Sequence, residues 1–300
     1  MKGIAPTIAR PTMKTRSRYS YYLWMARALP YVLSARLTGR TCFGFEQMKP
    51  FFQDRTGLEF GGPSTIFSAK RLIPIYEISR RIDHSNFSTH TIWDAKSRSP
   101  KELHHARQCI EAEAANPSCM KDGSYEFVLA SHVLEHVANP LRALMEWKRI
   151  LRPEGVVLVV VPHKAATFDH RRPFSALSHI EQDYRNNVTE ADLTHLPEIL
   201  ELHDLAMDPG AGTAEQFRER CLSNASVRAM HHHVFSPDVL VQMFDSVGMD
   251  VLNVAVERPY HIIVLAQATT SPTRNRMINA DVLRADAAWR KQAAFSSETN

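Results

Sequence analysis

The sequence contains few cysteines and no long apolar run, and each absence excludes a class of protein. Its four cysteines form no CxxC pair in 300 residues, so we predict neither a disulfide framework nor a zinc finger, and the cytoplasm is the expected location. The apolar stretch over residues 21–33 is interrupted by Arg27 and Pro30, which makes it too short to cross a bilayer and unlike an export signal. With 44% hydrophobic and 23% charged residues, the composition is that of a globular protein.

Acidic residues are missing from residues 1–45, which contain eight Lys or Arg. The whole chain has a formal charge of only +4, so no nucleic-acid partner is predicted. This basic arm mixes Arg with Tyr, Trp and Leu, and two structures fit that pattern: an amphipathic helix in peripheral contact with an anionic membrane, or a helix packed on the fold. The expected organisation is the arm over 1–45, a domain over 46–268 and a polar tail over 269–300.

Strand and helix patterns alternate along the central part of the chain. A buried strand over 57–60 runs into a turn at Gly61 and Gly62, and a second strand is predicted to end near Ile82 and Asp83. Further elements are predicted as strands over 125–130 and 156–161, a helix between them from Pro140, a helix over 236–247, and β-runs over 251–256 and 260–266. This order predicts an α/β fold with an open, doubly wound, mostly parallel, Rossmann-like sheet and a C-terminal antiparallel hairpin.

The predicted strand ends carry the groups that an adenosine-type cofactor requires, and ligands of such sheets bind at the carboxyl ends of the strands. Gly61 and Gly62 allow the backbone to approach a ligand. Asp83 lies 21 residues after Gly62, the spacing of a ribose-binding acid, and Glu77 is the alternative if the second strand is shorter. Two further pairs flank the strand over 125–130: Glu113 and Ala114 before it, and Ser131 and His132 after it.

Three motifs stand in order along residues 57–162: Glu59-Phe60-Gly61-Gly62, the run from Tyr125 to His136, and Leu151-Arg152-Pro153-Glu154-Gly155. As a set they resemble the class I S-adenosylmethionine-dependent methyltransferases of the small-molecule branch. The resemblance implies S-adenosyl-L-methionine as the cofactor. By position it implies the following contacts: Glu59, Gly61 and Gly62 with the methionine part, Asp83 with the ribose, Glu113 and Ala114 with the adenine, and Ser131 at the same crevice.

The glycine loop departs from the family pattern. Pro63 stands where the family usually carries a further glycine, and proline has no N–H to offer a cofactor. An alternative function follows from this departure, namely a methyltransferase-like domain that is catalytically silent and serves as a binding or scaffold domain.

Residues 163–235 form a long insert where the family needs only a short connection. The insert holds eight of the fifteen histidines: His163, His170, His179, His195, His203, His231, His232 and His233. Such inserts are usually functional lids, and imidazoles beside carboxylates suit a general base, a metal ligand or a hydrogen-bonded lid. Because no HxxxH or HxxE spacing fixes two ligands on one helical face, we assign no metal ligand, and a metal-dependent enzyme is the less favoured alternative.

Strand position selects the candidate bases. His132 follows the strand over 125–130 and His163 follows the strand over 156–161, so both are expected at the crevice. His170 is a third candidate because it stands beside Asp169, whereas His136 is expected to be structural.

The predicted reaction is methyl transfer to an oxygen of a small-molecule or glycan acceptor, with His132, His163 or His170 as the catalytic base. Arg171 and Arg172 could meet an anionic acceptor, although a solvated pair of side chains is the simpler expectation. The sequence predicts neither the identity of the acceptor nor the oligomeric state.

Overall fold

The computed structural model describes residues 13–88, residues 109–270 and Asp286. Its helices, in chain order, are α1 (Met13–Thr38), α2 (Phe45–Met48), α3 (Pro140–Ile150), α4 (Leu177–Arg185), α5 (Leu196–Leu202), α6 (Ala214–Leu222), α7 (Asn224–Val227) and α8 (Pro237–Ser246). Its strands are β1 (Thr56–Phe60), β2 (Arg81–Asn86), β3 (Cys109–Glu111), β4 (Tyr125–Ser131), β5 (Leu151–Pro162), β6 (Asp250–Glu257) and β7 (His261–Gln267). Most of the predicted tail, and the first part of the basic arm, lie outside the described residues.

One sheet organises the described part of the chain, with the strand order β3-β2-β1-β4-β5-β7-β6. Strands β1 to β5 pair in parallel, and β7 pairs antiparallel with both β5 and β6. The predicted fold class is therefore confirmed: an α/β, mostly parallel, Rossmann-like sheet with a C-terminal antiparallel hairpin. Because β7 runs opposite to β5, its first residue, His261, lies beside Pro162 at the end of β5.

Apolar side chains cover both faces of the sheet. The run Val156–Val161 in β5 is fully buried, as a central strand between two helical layers requires. On one face, Trp147 of α3 stacks on Phe60 of β1 at 5.3 Å between ring centroids. On the other face, Phe52 meets Phe127 of β4 edge-on at 5.3 Å. These two layers hold the strands in register and fix where the strands end.

The second strand differs from the prediction, because β2 begins at Arg81 and continues to Asn86. The predicted end near Ile82 and Asp83 is wrong. The strand is polar after Ile82, so a search for apolar runs stops too early. Parallel pairing with β1 keeps this polar segment extended, with Leu58 opposite Asp83 and Phe60 opposite Ser85.

The described part of the basic arm forms one helix, whose described side chains are mostly exposed. Helix α1 is 26 residues long and includes Pro30. Its second half reaches the carboxyl edge of the sheet, where Val32 and Ala35 lie near the loop that follows β1. Among the described residues, no helix is both long and apolar enough to cross a membrane. The prediction of peripheral membrane contact is not tested by this placement.

The insert over 163–235 forms α4 to α7 with a small core of its own. That core consists of Leu196, Ile199, Ala211, Phe217, Cys221 and Met230. Hydrogen bonds tie the insert to the segment after β4: the His232 N–H donates to the Glu135 carbonyl at 2.8 Å, and the Asn139 side-chain amide donates to the Asp183 carbonyl at 3.2 Å. The insert is thus a folded unit fastened beside the carboxyl end of β4.

Candidate functional site

The glycine loop after β1 brings bare backbone to the carboxyl edge of the sheet. Gly61 has a φ of +73°, and a Cβ there would lie 2.5 Å from Cγ2 of Val133. A Cβ on Gly62 would lie 2.3 Å from Cδ of Glu59. Neither position accepts a larger residue without rearrangement, so the loop is built to keep side chains out.

Glu59 holds this loop in place and does not line the cavity described below. The carboxylate is fully buried and accepts the Ser64 N–H at 3.0 Å and the Tyr76 hydroxyl at 2.5 Å. Nδ1 of His84 lies 3.2 Å from its second oxygen. Because these groups occupy the carboxylate, Glu59 serves to shape the loop, and the predicted contacts with the methionine part remain a prediction for Gly61 and Gly62.

Asp83 does not lie where the ribose prediction requires it. The carboxylate is buried in the middle of β2, where it forms an ion pair with Arg81 and accepts the Tyr125 hydroxyl at 3.2 Å. Burial, and then the charge of Asp83, raise the pKa of Tyr125 to about 12. Since Tyr125 is the first residue of β4, Asp83 faces the end of the sheet opposite to the crevice.

Asn86 occupies the position at the end of β2 that the sequence analysis gave to Asp83. Its side-chain amide lies 3.4 Å from the Gly62 carbonyl, within reach of the glycine loop. The alternative acid, Glu77, is exposed in a 3-10 turn that precedes β2. Because an amide side chain carries no charge, the spacing of acidic residues does not predict Asn86.

Glu113 and Ala114 follow β3 at the same edge of the sheet. The Glu113 carboxylate forms an ion pair with Arg228 of the insert. The Ala114 carbonyl accepts the Trp147 indole N–H at 2.9 Å. The Arg228 guanidinium also lies 5.3 Å from the ring centroid of Phe87, which follows β2. The insert therefore reaches across the ends of β2 and β3, and the predicted adenine contacts remain a prediction.

A cavity of about 620 Å³ opens at the carboxyl ends of β1 and β4. It is lined by Gly61, Pro63, Ser64, Thr65, Ile66, Arg71 and Leu72 after β1, by Ser131 and His132 after β4, by Arg258, Pro259, Tyr260 and His261 between β6 and β7, and by Met25, Ala28, Leu29, Tyr31, Val32 and Ala35 of α1. Of the predicted site residues, it brings together Gly61, Ser131 and His132.

The imidazole of His132 belongs to a residue that lines this cavity. Its φ of +54° is left-handed, and its side chain is 30% exposed. Nδ1 lies 3.4 Å from Oε1 of the buried Glu135, and Nε2 lies 3.2 Å from Nδ1 of His261. A carboxylate behind one ring nitrogen orients the imidazole and stabilises its protonated form, which is the arrangement of a general base.

The surroundings of His132 favour an ionised Glu135 and a neutral His261. Burial acts to raise the pKa of Glu135, but the contact with His132 and the nearby imidazoles of His136 and His231 outweigh burial and leave this pKa below its usual value. Burial, with the charge of His132, holds the pKa of His261 well below its usual value. The imidazole of His132 thus stands between one negative and one neutral group.

His163 is placed differently from the prediction. Its imidazole is fully buried, with Nδ1 accepting the Ala165 N–H at 3.2 Å and Nε2 2.7 Å from Oδ1 of Asp286. Both ring nitrogens have partners and His163 does not line the cavity, so its role as a catalytic base stays a prediction that this geometry does not favour. The residue caps the turn after β5 and holds Asp286.

The remaining insert candidates are committed to contacts within the insert. Nε2 of His170 lies 3.0 Å from Asp204, and Arg171 lies 3.1 Å from the same carboxylate. Arg172 is buried and binds Asp169 at 3.1 Å. None of these side chains lines the cavity, so the structure supports neither a catalytic His170 nor an anion site at Arg171 and Arg172.

Three features of the site were missed from sequence. They are Glu135 behind His132, the pair Tyr260 and His261, and the helix α1 that lines one side of the cavity. The predicted antiparallel hairpin contained a signal for the pair, because a strand antiparallel to β5 begins where β5 ends. No comparable signal exists for α1, since nothing in the arm indicates which edge of the sheet it covers.

Residues 69–159 match the sequence profile of a family described as a methyltransferase domain. No curated protein shows significant sequence similarity to the chain. A solved S-adenosylmethionine-dependent methyltransferase from Mesorhizobium loti is 12% identical, with 75% of this chain and 95% of that chain covered and a TM-score of 0.46. A solved methyltransferase from Aquifex aeolicus is 13% identical, with 76% of this chain and 90% of that chain covered and a TM-score of 0.42.

Proposed function

We propose that the chain is a class I S-adenosylmethionine-dependent methyltransferase and transfers the methyl group of this cofactor to a hydroxyl oxygen of a small, carbohydrate-like acceptor. The match of residues 69–159 to a methyltransferase domain supports the methyl-transfer part of this proposal. One observation carries the proposal: His132, backed by the buried Glu135, faces the cavity that contains the glycine loop. A neutral imidazole at this place is suited to accept the proton that a hydroxyl group loses when its oxygen is methylated.

Residues at the strand ends would hold the cofactor. The loop at Gly61 and Gly62 carries no side chains, and Gly61 lines the cavity, so a ligand there could approach the backbone. Asn86 replaces Asp83 as the group for the ribose hydroxyls, because it ends β2 beside Gly62. Glu113 and Ala114 keep the adenine assignment, and Ser131 lies at the end of β4 in the same cavity.

The reaction needs alignment and a proton acceptor more than covalent help from the protein. When bound, the cofactor supplies an electrophilic methyl group on a positively charged sulfur. Nε2 of His132 would accept the hydroxyl proton of the acceptor, and Glu135 would stabilise the resulting imidazolium from the Nδ1 side. The contact of His132 with His261 occupies Nε2, so an acceptor hydroxyl would take the place of His261 there.

The cavity supports an acceptor of modest size with several polar groups. Its volume of about 620 Å³ falls within the range of small-molecule sites. Arg71 and Arg258 bring guanidinium groups to the lining, and these groups bind carboxylates and phosphates. Tyr31 and Tyr260 add aromatic surface. A sugar that carries an acidic group combines these properties.

Methyl transfer from isotopically labelled S-adenosylmethionine to a panel of sugars, sugar acids and nucleotide sugars tests the proposal. We expect a labelled methyl ether, with turnover lowered at least about 100-fold in His132→Gln while calorimetry shows nearly unchanged cofactor affinity. A label recovered on nitrogen or carbon would contradict oxygen methylation. A protein that does not bind the cofactor would instead support the scaffold alternative.

A further inference from the structure

Four side chains of the insert direct polar atoms toward one point. They are His179 and Asp183 on α4, His195 at the start of α5, and His233. Nε2 of His179 lies 3.1 Å from Nε2 of His195 and 3.4 Å from Oδ2 of Asp183. Oδ2 of Asp183 also lies 4.0 Å from Nε2 of His195 and 3.6 Å from Nε2 of His233.

These separations match the edges of a tetrahedral metal site. Zinc binds imidazole nitrogen and carboxylate oxygen at about 2.0–2.2 Å, so two ligand atoms of one tetrahedral ion lie about 3.3–3.5 Å apart. Four of the six distances lie between 3.1 and 4.0 Å, around that value, and all four ligand atoms lie within 4.8 Å of one another.

The cluster holds a buried carboxylate whose charge is poorly balanced. Oδ2 of Asp183 has no hydrogen-bond partner among the described residues. A buried carboxylate oxygen without a hydrogen-bond donor, placed among imidazole nitrogens, is a set of donors that a metal ion would satisfy.

We propose that His179, Asp183, His195 and His233 bind one zinc ion that fastens the insert. Three nitrogen donors and one oxygen donor suit zinc and do not suit magnesium or calcium, which prefer oxygen. Four protein ligands fill a tetrahedral shell, so the ion is structural and leaves no open position for chemistry. The site is separate from the cavity at His132, and it does not depend on the proposed reaction.

The surroundings show what the ion would hold together. Asn139, the first residue before α3, donates to the Asp183 carbonyl at 3.2 Å, which fixes the end of α4. Nε2 of His233 lies 3.2 Å from the Ala138 carbonyl, a contact that coordination would replace. The side chain of His179 is 44% exposed and provides a path for entry. The ion would thus join α4, α5 and the segment before Phe235 beside the residues that follow β4.

Two neighbouring clusters offer fewer free ligands. Asp192, His195 and His232 also lie together, but Oδ2 of Asp192 already accepts the Thr194 N–H at 3.1 Å. Glu135, His136 and His231 form a three-residue group. These clusters are the rival locations for a bound ion, and the experiment is designed to separate them from the proposed site.

The test uses the full chain, stripped of metal with a chelator, re-equilibrated with zinc and desalted, with bound metal measured by mass spectrometry. We expect about one zinc per chain in the wild type and less than a tenth of that in Asp183→Asn and His195→Gln. His170→Gln is the matched control, because it breaks a histidine–aspartate pair of the same insert outside the cluster, and we expect it to keep its zinc. Chelator is expected to lower the melting temperature of the wild type and not that of Asp183→Asn.

A cobalt titration of the metal-free wild type does not depend on the folding of any variant. We expect the intense visible absorption of four-coordinate cobalt, which zinc then abolishes. The proposal is overturned if the wild type retains no zinc, or if cobalt gives only the weak bands of six-coordinate ions. It is equally overturned if Asp183→Asn keeps its zinc while His136→Gln or His232→Asn loses it, or if His170→Gln loses zinc to the same extent as Asp183→Asn.

Discussion

The carboxylate of Glu135 is the residue-scale feature that separates His132 from the other histidines. It is buried, ionised and 3.4 Å from Nδ1 of His132, so a proton taken up at Nε2 creates a charge that Glu135 stabilises. Catalytic hydrogen bonds are often long without substrate, so a distance of 3.4 Å is compatible with this role. Glu135 acts through His132 and is a positioning residue.

Replacing Glu135 by Gln keeps the shape of the side chain and removes its charge. We expect methyl transfer to fall about 100-fold, with cofactor affinity unchanged in calorimetry, because the imidazolium loses its counter-charge. Glu181→Gln is the control and should keep full turnover, because Glu181 is a half-buried residue of α4 that pairs with Arg185 away from the cavity. Full activity in Glu135→Gln would show that the carboxylate supports the fold without supporting the base.

Asn86 and Asp83 are expected to have different roles, the first in cofactor binding and the second in stability. One variant of each residue distinguishes these roles. Asn86→Ala should weaken cofactor binding roughly fivefold, the loss of about 1 kcal/mol for a neutral hydrogen bond. Asp83→Asn should leave cofactor binding intact. It should lower the free energy of unfolding by about 1–2 kcal/mol, because the carboxylate loses its ion pair with Arg81 and its charged hydrogen bond with Tyr125. The loss is moderate because Arg81 is partly exposed and remains in contact with water. Calorimetry and urea unfolding measure the two effects. Weak binding in Asp83→Asn with normal stability would restore Asp83 to the ribose.

At the scale of elements, periodicity predicted the apolar strands and failed for the polar one. The capped helix from Pro140 is specified by its own residues and was predicted close to its observed bounds. The apolar run over 156–161 was also predicted as a strand, but β5 begins five residues earlier, at Leu151, and includes the segment that was predicted as a turn. β2 depends on pairing with β1, because only Ile82 supplies an apolar signal. The cavity likewise depends on which segment covers it, and the position of α1 is decided by packing that no local pattern records.

Helix α1 offers a matched pair of leucines that tests its part in the cavity. Leu29 lines the cavity, whereas Leu37 is 84% exposed and does not. We expect Leu29→Ser to raise the KM for the acceptor several-fold with little change in kcat, because it alters the wall and not the base. Leu37→Ser should match the wild type in this assay.

The variants Leu29→Ser and Leu37→Ser also test the prediction that the basic arm contacts a membrane. Binding of the full chain to anionic vesicles at low salt, reduced in Leu37→Ser, would support peripheral contact through α1. If the full chain does not bind such vesicles, the prediction of peripheral membrane contact is wrong. Equal KM values for Leu29→Ser and the wild type would show that α1 covers the site without touching the acceptor.

At the scale of the whole molecule, the insert was visible in the sequence and its chemistry was not. The histidine count predicted a special segment, but the cluster at Asp183 joins residues separated by four, twelve and thirty-eight positions along the chain. A search for HxxxH and HxxE passes over a histidine and an aspartate four apart on α4. The third and fourth members are brought in by the packing of α5 and the segment at His233.

Buried neutral histidines make the stability of the folded protein depend on pH. Burial is the main cause that lowers the pKa of His136 to about 4 and the pKa of His232 to about 3, against a usual value of 6.5. Between the folded and the usual pKa values, the unfolded chain binds more protons than the folded chain does. The free energy of unfolding therefore falls as pH drops below about 6.5. His231 opposes this trend: burial acts to lower its pKa, but the charge of Asp169 raises it overall.

We expect urea unfolding to show a loss of stability between about pH 6.5 and pH 4, with a contribution on the order of 3 kcal/mol from His136 alone. A matched variant, His136→Phe, keeps a buried ring without a titrating group and should show a shallower dependence over the same range. Because protonation also removes metal ligands, the measurement is made both with zinc and with chelator, and the slope attributed to His136 should persist in chelator. An unfolding free energy that stays constant from pH 7 to pH 4.5, or a His136→Phe variant with an unchanged slope, would show that this histidine is not held neutral by the fold.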